Sequence, residues 1–183
     1  YYRLLSSFTN QGFYPLVDFW IEYPPIFPWL LMGLYRLSLL IPPWHESGAW
    51  FFVILGAFFT LVEAGNLMLF YGIARRLFSQ ERAVRLSWIY VLLLIPMLSL
   101  FTAFDNLAVL FILWSVLLTL DQRPIATGIT TAVGFMTKLI PVVAAPAALQ
   151  HLKTWPQRTR FVLAAGVVVL LIALPFLLTG PDF

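Results

Sequence analysis

Long apolar stretches separated by short polar connections dominate this chain of 183 residues. The stretches that carry little or no charge are 26–41, 49–74, 86–100, 107–120, 125–137, 139–150 and 161–178. A helix needs about 20 residues to cross roughly 30 Å of hydrocarbon, and only 49–74 and 161–178 reach that length comfortably. The shorter stretches would cross if their ends extended into flanking polar residues or if the bilayer thinned locally. The pattern predicts an all-α, polytopic membrane protein.

Composition agrees with a membrane protein, because 61% of the residues are hydrophobic, 10% are charged and the mean hydropathy is +0.90. We expect one transmembrane domain across residues 1–183 and no soluble domain. No block of lysine and arginine with interleaved aromatic residues occurs, so nucleic-acid binding is not expected. The chain has no cysteine and its two histidines are far apart, so no metal site is predicted. It begins without methionine and ends after an apolar run, which we interpret as the interior of a longer protein.

The basic residues predict an orientation through the positive-inside rule. Three connections carry eight of the eleven cations: Arg75, Arg76, Arg82 and Arg85; Arg123; and Lys153, Arg158 and Arg160. If these connections face the cytoplasm, 49–74 runs inward and 49–178 makes about six crossings of the inner (plasma) membrane. Residues 1–48 then form an outer loop with an interfacial helix at 26–41, although the length of that stretch equally allows a crossing.

The stretch 125–150 has two interpretations. A single broken helix would bury Lys138 in the membrane and place the later cations outside. We favour two short helices that meet at Lys138, because this arrangement keeps the three basic connections on one side. A lysine there is costly unless it meets an anion, which a substrate phosphate, Asp105 or Glu22 would supply.

Asp18 and Glu22 lie in the segment 18–25, whose sequence is DFWIEYPP, just before the first long apolar stretch. Carboxylates beside a bilayer are costly unless they form ion pairs or take part in function. Two consecutive prolines cannot continue a helix. Two acids on a stiffened loop at a membrane face indicate a reaction site. The plainer alternative is that Asp18 caps a short helix and Glu22 pairs with Arg36 or Lys138.

Further polar residues have plainer alternatives as well. Asp105 opens a helix and would favour the helix dipole as a cap. Arg36 would contact phosphate or anchor the chain at the membrane surface, and we favour anchoring. Glu63 lies inside the longest apolar run with Asn66 on the same helical face, and interhelical hydrogen bonding is the favoured interpretation.

The order of several short motifs resembles the GT-C superfamily of polyprenyl-phosphate-sugar glycosyltransferases, especially the bacterial mannosyltransferase-like group, GT87. Tyr14-Pro15 and the Asp-x-x-x-Glu-Tyr-Pro-Pro segment at 18–25 are similar to the first outer loop of that family. Phe104-Asp105-Asn106 is similar to the second outer loop. The stretch 134–141 is similar to the Gly-x-x-x-Lys-x-x-Pro stretch that follows. The family's acceptor-activating Asp usually lies shortly before the position of Tyr1, so the general base is expected outside this sequence.

The resemblance implies a GT-C-like helical bundle whose active site lies on an outer loop. The implied enzyme is a hexosyltransferase that passes a sugar, with mannose expected, from a polyprenyl-phosphate carrier to a lipid or glycan acceptor on the outer face. No cofactor besides this lipid-linked donor substrate is predicted, and the need for a divalent metal stays open. The candidate catalytic residues are Asp18 and Glu22, and the candidate substrate-binding residues are Tyr23, Arg36, Asp105 and Lys138.

A secondary transporter or lipid flippase is the competing class, because broken helices and intramembrane charges occur there too. The acids of this chain cluster in the predicted outer loops, and no inverted repeat is visible in its sequence. These two observations favour the transferase.

Overall fold

The computed structural model describes residues 2–42, 48–97 and 105–179. Within these ranges every regular element is helical, which confirms the all-α class. The helices are α1 (Tyr2–Asn10), α2 (Ile26–Ser38), α3 (Ala49–Leu77), α4 (Gln80–Met97), α5 (Asp105–Leu120), α6 (Pro124–Thr137), α7 (Ala144–His151) and α8 (Trp155–Thr179), with a 3-10 turn at Ile140–Val143 between α6 and α7. Phe104 of the second motif and both Tyr1 and His45 lie outside the described residues.

Among the described residues, α3 and α8 are the two helices that are long and apolar enough to cross a membrane. They contain the two stretches that the sequence singles out by length. The most apolar window of α8 has a mean hydropathy of 3.0, and only 6% of that window is buried in the bundle. This combination indicates association with a membrane. A crossing by each of the shorter helices stays a prediction.

α3 and α5 pack side by side and run in the same direction. Asn66 of α3 donates from Nδ2 to the backbone oxygen of Asn106 at the start of α5, at 3.0 Å. Beyond the other end of α5, Asp121 pairs with Arg76 near the end of α3. Two helices are expected to run in the same direction when the one helix between them, here α4, runs in the opposite direction.

α6 packs against α5 and against α8, and Gly128 lets α6 and α8 approach closely. A Cβ atom at this glycine would lie 2.4 Å from the backbone oxygen of Phe161 and 3.2 Å from Cβ of Ala164. Gln122, just before α6, donates from Nε2 to the backbone oxygen of His151 at 3.4 Å. Both helices therefore begin at the same end of the bundle.

The chain breaks after α6, at the position that the sequence predicts. Lys138 is extended, with φ −154° and ψ 146°, and its N–H donates to the backbone oxygen of Gly134. The 3-10 turn has Pro141 near its start, and α7 then returns to His151, beside Gln122. Two separate helices that meet at Lys138 are thus confirmed.

α2 packs along the first half of α3. The cluster of buried apolar side chains that joins these two helices and α1 consists of Leu5, Phe27, Leu31, Tyr35, Phe51, Leu55 and Phe59. Tyr35 meets Phe51 edge to face, with 5.5 Å between ring centroids. The helix predicted at 26–41 therefore forms, and its interfacial position stays a prediction.

Candidate functional site

Four of the candidate residues come together where α5 begins and α6 ends. Lys138 pairs through Nζ with the Asp105 carboxylate. Tyr23 hydrogen-bonds to the side chain of Glu22, and the charges of Lys138 and Asp105 both act on its hydroxyl. We refer to Glu22, Tyr23, Asp105 and Lys138 as the Lys138 cluster. Three segments that are distant in sequence supply its members.

Local structure explains how each segment presents its side chain. Asp105 lies in the first turn of α5, where its charge complements the helix dipole. Lys138 caps the end of α6, where the extended backbone lets its side chain leave the helix axis. Glu22 and Tyr23 precede two prolines, the second of which is the N-terminal cap of α2. The cluster therefore sits at helix ends, where backbone polar groups are open to a ligand.

Burial and the charges of the cluster shift the pKa of Tyr23. Burial raises the pKa of the Tyr23 hydroxyl above its ordinary value, and the charge and hydrogen bond of Glu22 raise it further. Lys138 acts in the opposite direction. The phenol therefore stays protonated at neutral pH and is available as a hydrogen-bond donor.

Asp18 closes its own loop. Its Oδ2 accepts a hydrogen bond from the backbone N–H of Tyr14 at 2.7 Å, and its own N–H donates to the backbone oxygen of Tyr14 at 2.9 Å. Inside this turn Leu16 has a φ of 64°, and its N–H donates to the backbone oxygen of Phe19 at 2.8 Å. The cap expected for Asp18 is thus the closure of a turn, while Glu22 belongs to the Lys138 cluster.

Arg36 also meets Tyr14. Its Nη2 donates to the Tyr14 hydroxyl at 2.8 Å, and its Cζ lies 5.3 Å from the centroid of that ring. Trp29 stacks on the same ring and donates from Nε1 to the backbone oxygen of Pro15 at 3.2 Å. Arg36 therefore holds the loop against α2. The alternative pairing of Glu22 with Arg36 is not the arrangement observed.

A second polar group joins α3, α4 and α5. The hydroxyl of Tyr90 donates to Glu63 Oε2 at 3.4 Å, and the fully buried Asn66 bonds to Asn106. Tyr90 also stacks on Phe70, with ring centroids 4.9 Å apart. The predicted interhelical hydrogen bonding is confirmed. The sequence analysis missed Tyr90; the available signal was its place inside the apolar stretch 86–100, where a tyrosine hydroxyl needs a hydrogen-bond partner.

The end of the bundle opposite the Lys138 cluster contains an ion pair that the sequence analysis also missed. Arg76 binds both oxygens of Asp121, with N–O distances of 2.5 and 2.8 Å. The hydrogen bond from Arg76 lowers the pKa of Asp121 below its ordinary value, and the charge of Arg123 acts in the same direction. This pair ties the last turn of α3 to the connection after α5.

The Lys138 cluster has groups suited to an anionic substrate that also carries hydroxyls. An ammonium binds phosphate oxygens as a point charge, a phenol donates a hydrogen bond, and a carboxylate accepts one from a hydroxyl. Within the described ranges, no three His, Asp or Glu side chains group as a metal site would require.

Comparison with protein-family models, with curated proteins and with solved structures finds no match to this chain. The resemblance to GT-C glycosyltransferases therefore stays a prediction that rests on the short motifs.

Proposed function

We propose that this chain is part of a multi-pass membrane glycosyltransferase of the GT-C type. It would move a hexose, with mannose expected, from a polyprenyl-phosphate carrier to a lipid or glycan acceptor on the outer face of the plasma membrane. The observation that carries the proposal is the Lys138 cluster. A cation, a phenol and two carboxylates from three of the resembling motifs converge at one end of the helices.

Each group in the cluster has a part in the proposed transfer. The acceptor hydroxyl attacks the anomeric carbon, the bond from that carbon to the phosphate oxygen breaks, and the polyprenyl phosphate leaves. Lys138 would bind the phosphate as its charge grows, exchanging its contact with Asp105 for the substrate. Glu22 would accept a hydrogen bond from a sugar or acceptor hydroxyl, and Tyr23 would donate one. The acceptor's proton passes to the general base, which the resemblance places before Tyr1.

The distribution of charge supports the orientation in this proposal. Arg76 in the last turn of α3 pairs with Asp121 in the connection after α5, and His151 at the end of α7 bonds to Gln122 in that same connection. All three basic connections therefore share one end of the bundle, and the Lys138 cluster lies at the other. With the basic end in the cytoplasm, the cluster faces outward.

The test measures sugar transfer by the full-length protein in nanodiscs, with polyprenyl-phosphate mannose as donor. If Lys138 binds the phosphate, Lys138→Met should raise the KM for the donor by about ten- to a hundredfold, because a charge-assisted hydrogen bond contributes roughly 1.5–3 kcal/mol. Lys138→Arg should recover part of the loss. Lys153→Met, at the opposite end, is the matched control and should leave the KM unchanged. Equal donor kinetics in Lys138→Met and Lys153→Met would refute phosphate binding.

One observation favours the competing class. The path from α6 to α7 is broken at a charged residue, as in the discontinuous helices of secondary transporters. A transporter or flippase would move its substrate across a proteoliposome membrane without consuming a lipid-linked sugar. Substrate movement in the absence of transfer would therefore select that class.

A further inference from the structure

A shallow groove runs between the end of α7 and the first turns of α8. Its lining combines apolar and polar side chains: Leu149, Trp155, Arg158, Thr159, Val162 and Leu163. The residues from α8 lie on one face of that helix, away from Phe161, which is buried toward α7. We refer to this feature as the α7–α8 groove. It lies at the basic end of the bundle, opposite the Lys138 cluster.

Arg158 is held in position at the polar side of the groove. Its Nε donates to the backbone oxygen of Leu152 at 3.1 Å, and its Cζ lies 5.8 Å from the ring centroid of Trp155. In the part of the chain that the structure describes, no carboxylate pairs with Arg158. A guanidinium has five N–H donors, so those on its two Nη atoms remain to bind an anion.

The segment that forms the groove carries charge of one sign. Lys153 and Arg160 lie close to Arg158 along the chain, and no Asp or Glu occurs in 122–181. Such a region attracts anions, and Asp121, which lies next to Gln122 at this end of the bundle, is already paired with Arg76.

The rest of the groove is apolar and faces outward. Val162 and Leu163 are 53% and 62% exposed, and they lie on the helix whose apolar window is almost wholly outside the bundle. Trp155 is 77% exposed at the start of this helix, as is typical of a tryptophan at a membrane interface. An anion that fits here carries an apolar chain.

We propose that the α7–α8 groove binds an anionic phospholipid, with its phosphate on the Arg158 guanidinium and an acyl chain along Val162 and Leu163. A guanidinium suits this ligand because its planar fork matches two phosphate oxygens. The inference requires that α8 contact the bilayer, and it does not depend on sugar transfer.

The test measures lipid retention by native mass spectrometry on the full-length protein in detergent, with phosphatidylglycerol and phosphatidylcholine as probes. The wild-type protein should retain phosphatidylglycerol in preference to phosphatidylcholine. Arg158→Gln should weaken phosphatidylglycerol binding by about tenfold, the order of one charge-assisted hydrogen bond. Arg160→Gln makes the same change of charge on a residue that does not line the groove, so it should have little effect. Equal losses in both variants, or equal retention of both lipids, would overturn the proposal.

A second pair of variants guards against a folding effect, because Arg158 also bonds to Leu152. Val162→Trp narrows the apolar wall and should reduce phosphatidylglycerol binding several-fold. Val167→Trp, an exposed position farther along α8, should not. Glycerol 3-phosphate at millimolar concentration should leave the lipid bound. Its displacement of the lipid would show a site for free phosphate groups instead, and would contradict the proposal.

Discussion

Asp18 closes a turn on the backbone of Tyr14 by two hydrogen bonds: its carboxylate accepts from the Tyr14 N–H at 2.7 Å, and its own N–H donates to the Tyr14 oxygen at 2.9 Å. Farther along the same loop, Glu22 bonds to Tyr23 beside Lys138 and Asp105. Two carboxylates from a single motif therefore have different neighbours. The sequence alone gives both the same catalytic expectation, whereas the structure separates a loop-closing acid from an acid in the Lys138 cluster.

This separation predicts unequal effects on sugar transfer. Glu22→Gln should lower the rate by at least about tenfold, because it removes a charge-assisted hydrogen bond to a substrate hydroxyl, and such a bond contributes roughly 1.5–3 kcal/mol. Asp18→Asn keeps an oxygen that accepts the hydrogen bond from the Tyr14 N–H. The transfer rate of this variant should therefore fall only several-fold, the order of one hydrogen bond. Transfer rates of both variants in nanodiscs, at matched expression, provide the measurement. An Asp18→Asn variant as impaired as Glu22→Gln would show that Asp18 contacts the substrate.

Gly128 should be intolerant of even a single added methyl group. A Cβ there would lie 2.4 Å from a backbone oxygen of α8, and backbone atoms in a packed helix pair cannot move aside cheaply. Overpacking of this kind costs about 1–3 kcal/mol, so Gly128→Ala should lower the melting temperature in detergent by several degrees. Gly166→Ala, on the open side of α8, is the control and should not lower it. Equal melting temperatures for Gly128→Ala and the wild-type protein would mean that α6 and α8 are farther apart.

The pair of Arg76 and Asp121 predicts a specific dependence of stability on pH. The pKa of Asp121 is lowered in the folded chain, so the pair stabilises the fold above the unfolded pKa, about 3.9. Its contribution is lost as the pH falls through the lower folded pKa. The side chains are 39% and 27% exposed, so solvent screening limits the contribution to about 1 kcal/mol or less.

Thermal unfolding of wild type and Asp121→Asn across pH 3 to 7 measures this contribution. The difference in melting temperature should be constant near neutral pH and shrink below about pH 4. Arg76→Gln should show the same profile, and the double variant should add nothing to either single one. Additive losses in the double variant would indicate that the two residues act independently.

The proposed orientation predicts which surfaces an impermeant thiol reagent can reach. Because residues 1–183 contain no cysteine, a single introduced cysteine is the one thiol in this part of the protein. Cysteines at Ser79 and Gln11 occupy exposed positions in the basic connection and in the first loop. In intact cells Gln11→Cys should be labelled and Ser79→Cys should not, while both should react after lysis. Labelling of Ser79→Cys from outside would reverse the orientation and place the Lys138 cluster inside.

The sequence by itself determined the helices within 26–179, although α4 and α8 begin six residues before the apolar stretches that predicted them, and it missed α1. Hydrophobic runs of the observed lengths, interrupted by arginines and prolines, have few ways to bury their backbone polar groups other than as helices. The break at Lys138 was predictable because a lone cation followed by Pro141 ends an apolar run. The interhelical role of Glu63 and Asn66 was predictable because polar side chains within an apolar helix need partners.

Only the tertiary structure decided which polar side chains meet. The pairs of Lys138 with Asp105 and of Arg76 with Asp121 join segments that are distant along the chain. The periodicity of the hydrophobic residues shows which face of a helix is buried. It does not show which helix packs against that face, or how far the two helices are shifted along their axes. The register followed from contacts such as that of Asn66 with Asn106 and from the close approach at Gly128, where side-chain shape sets how far one helix slides past another. That register brought Glu22 and Tyr23 beside Lys138 and left Asp18 and Arg36 around Tyr14.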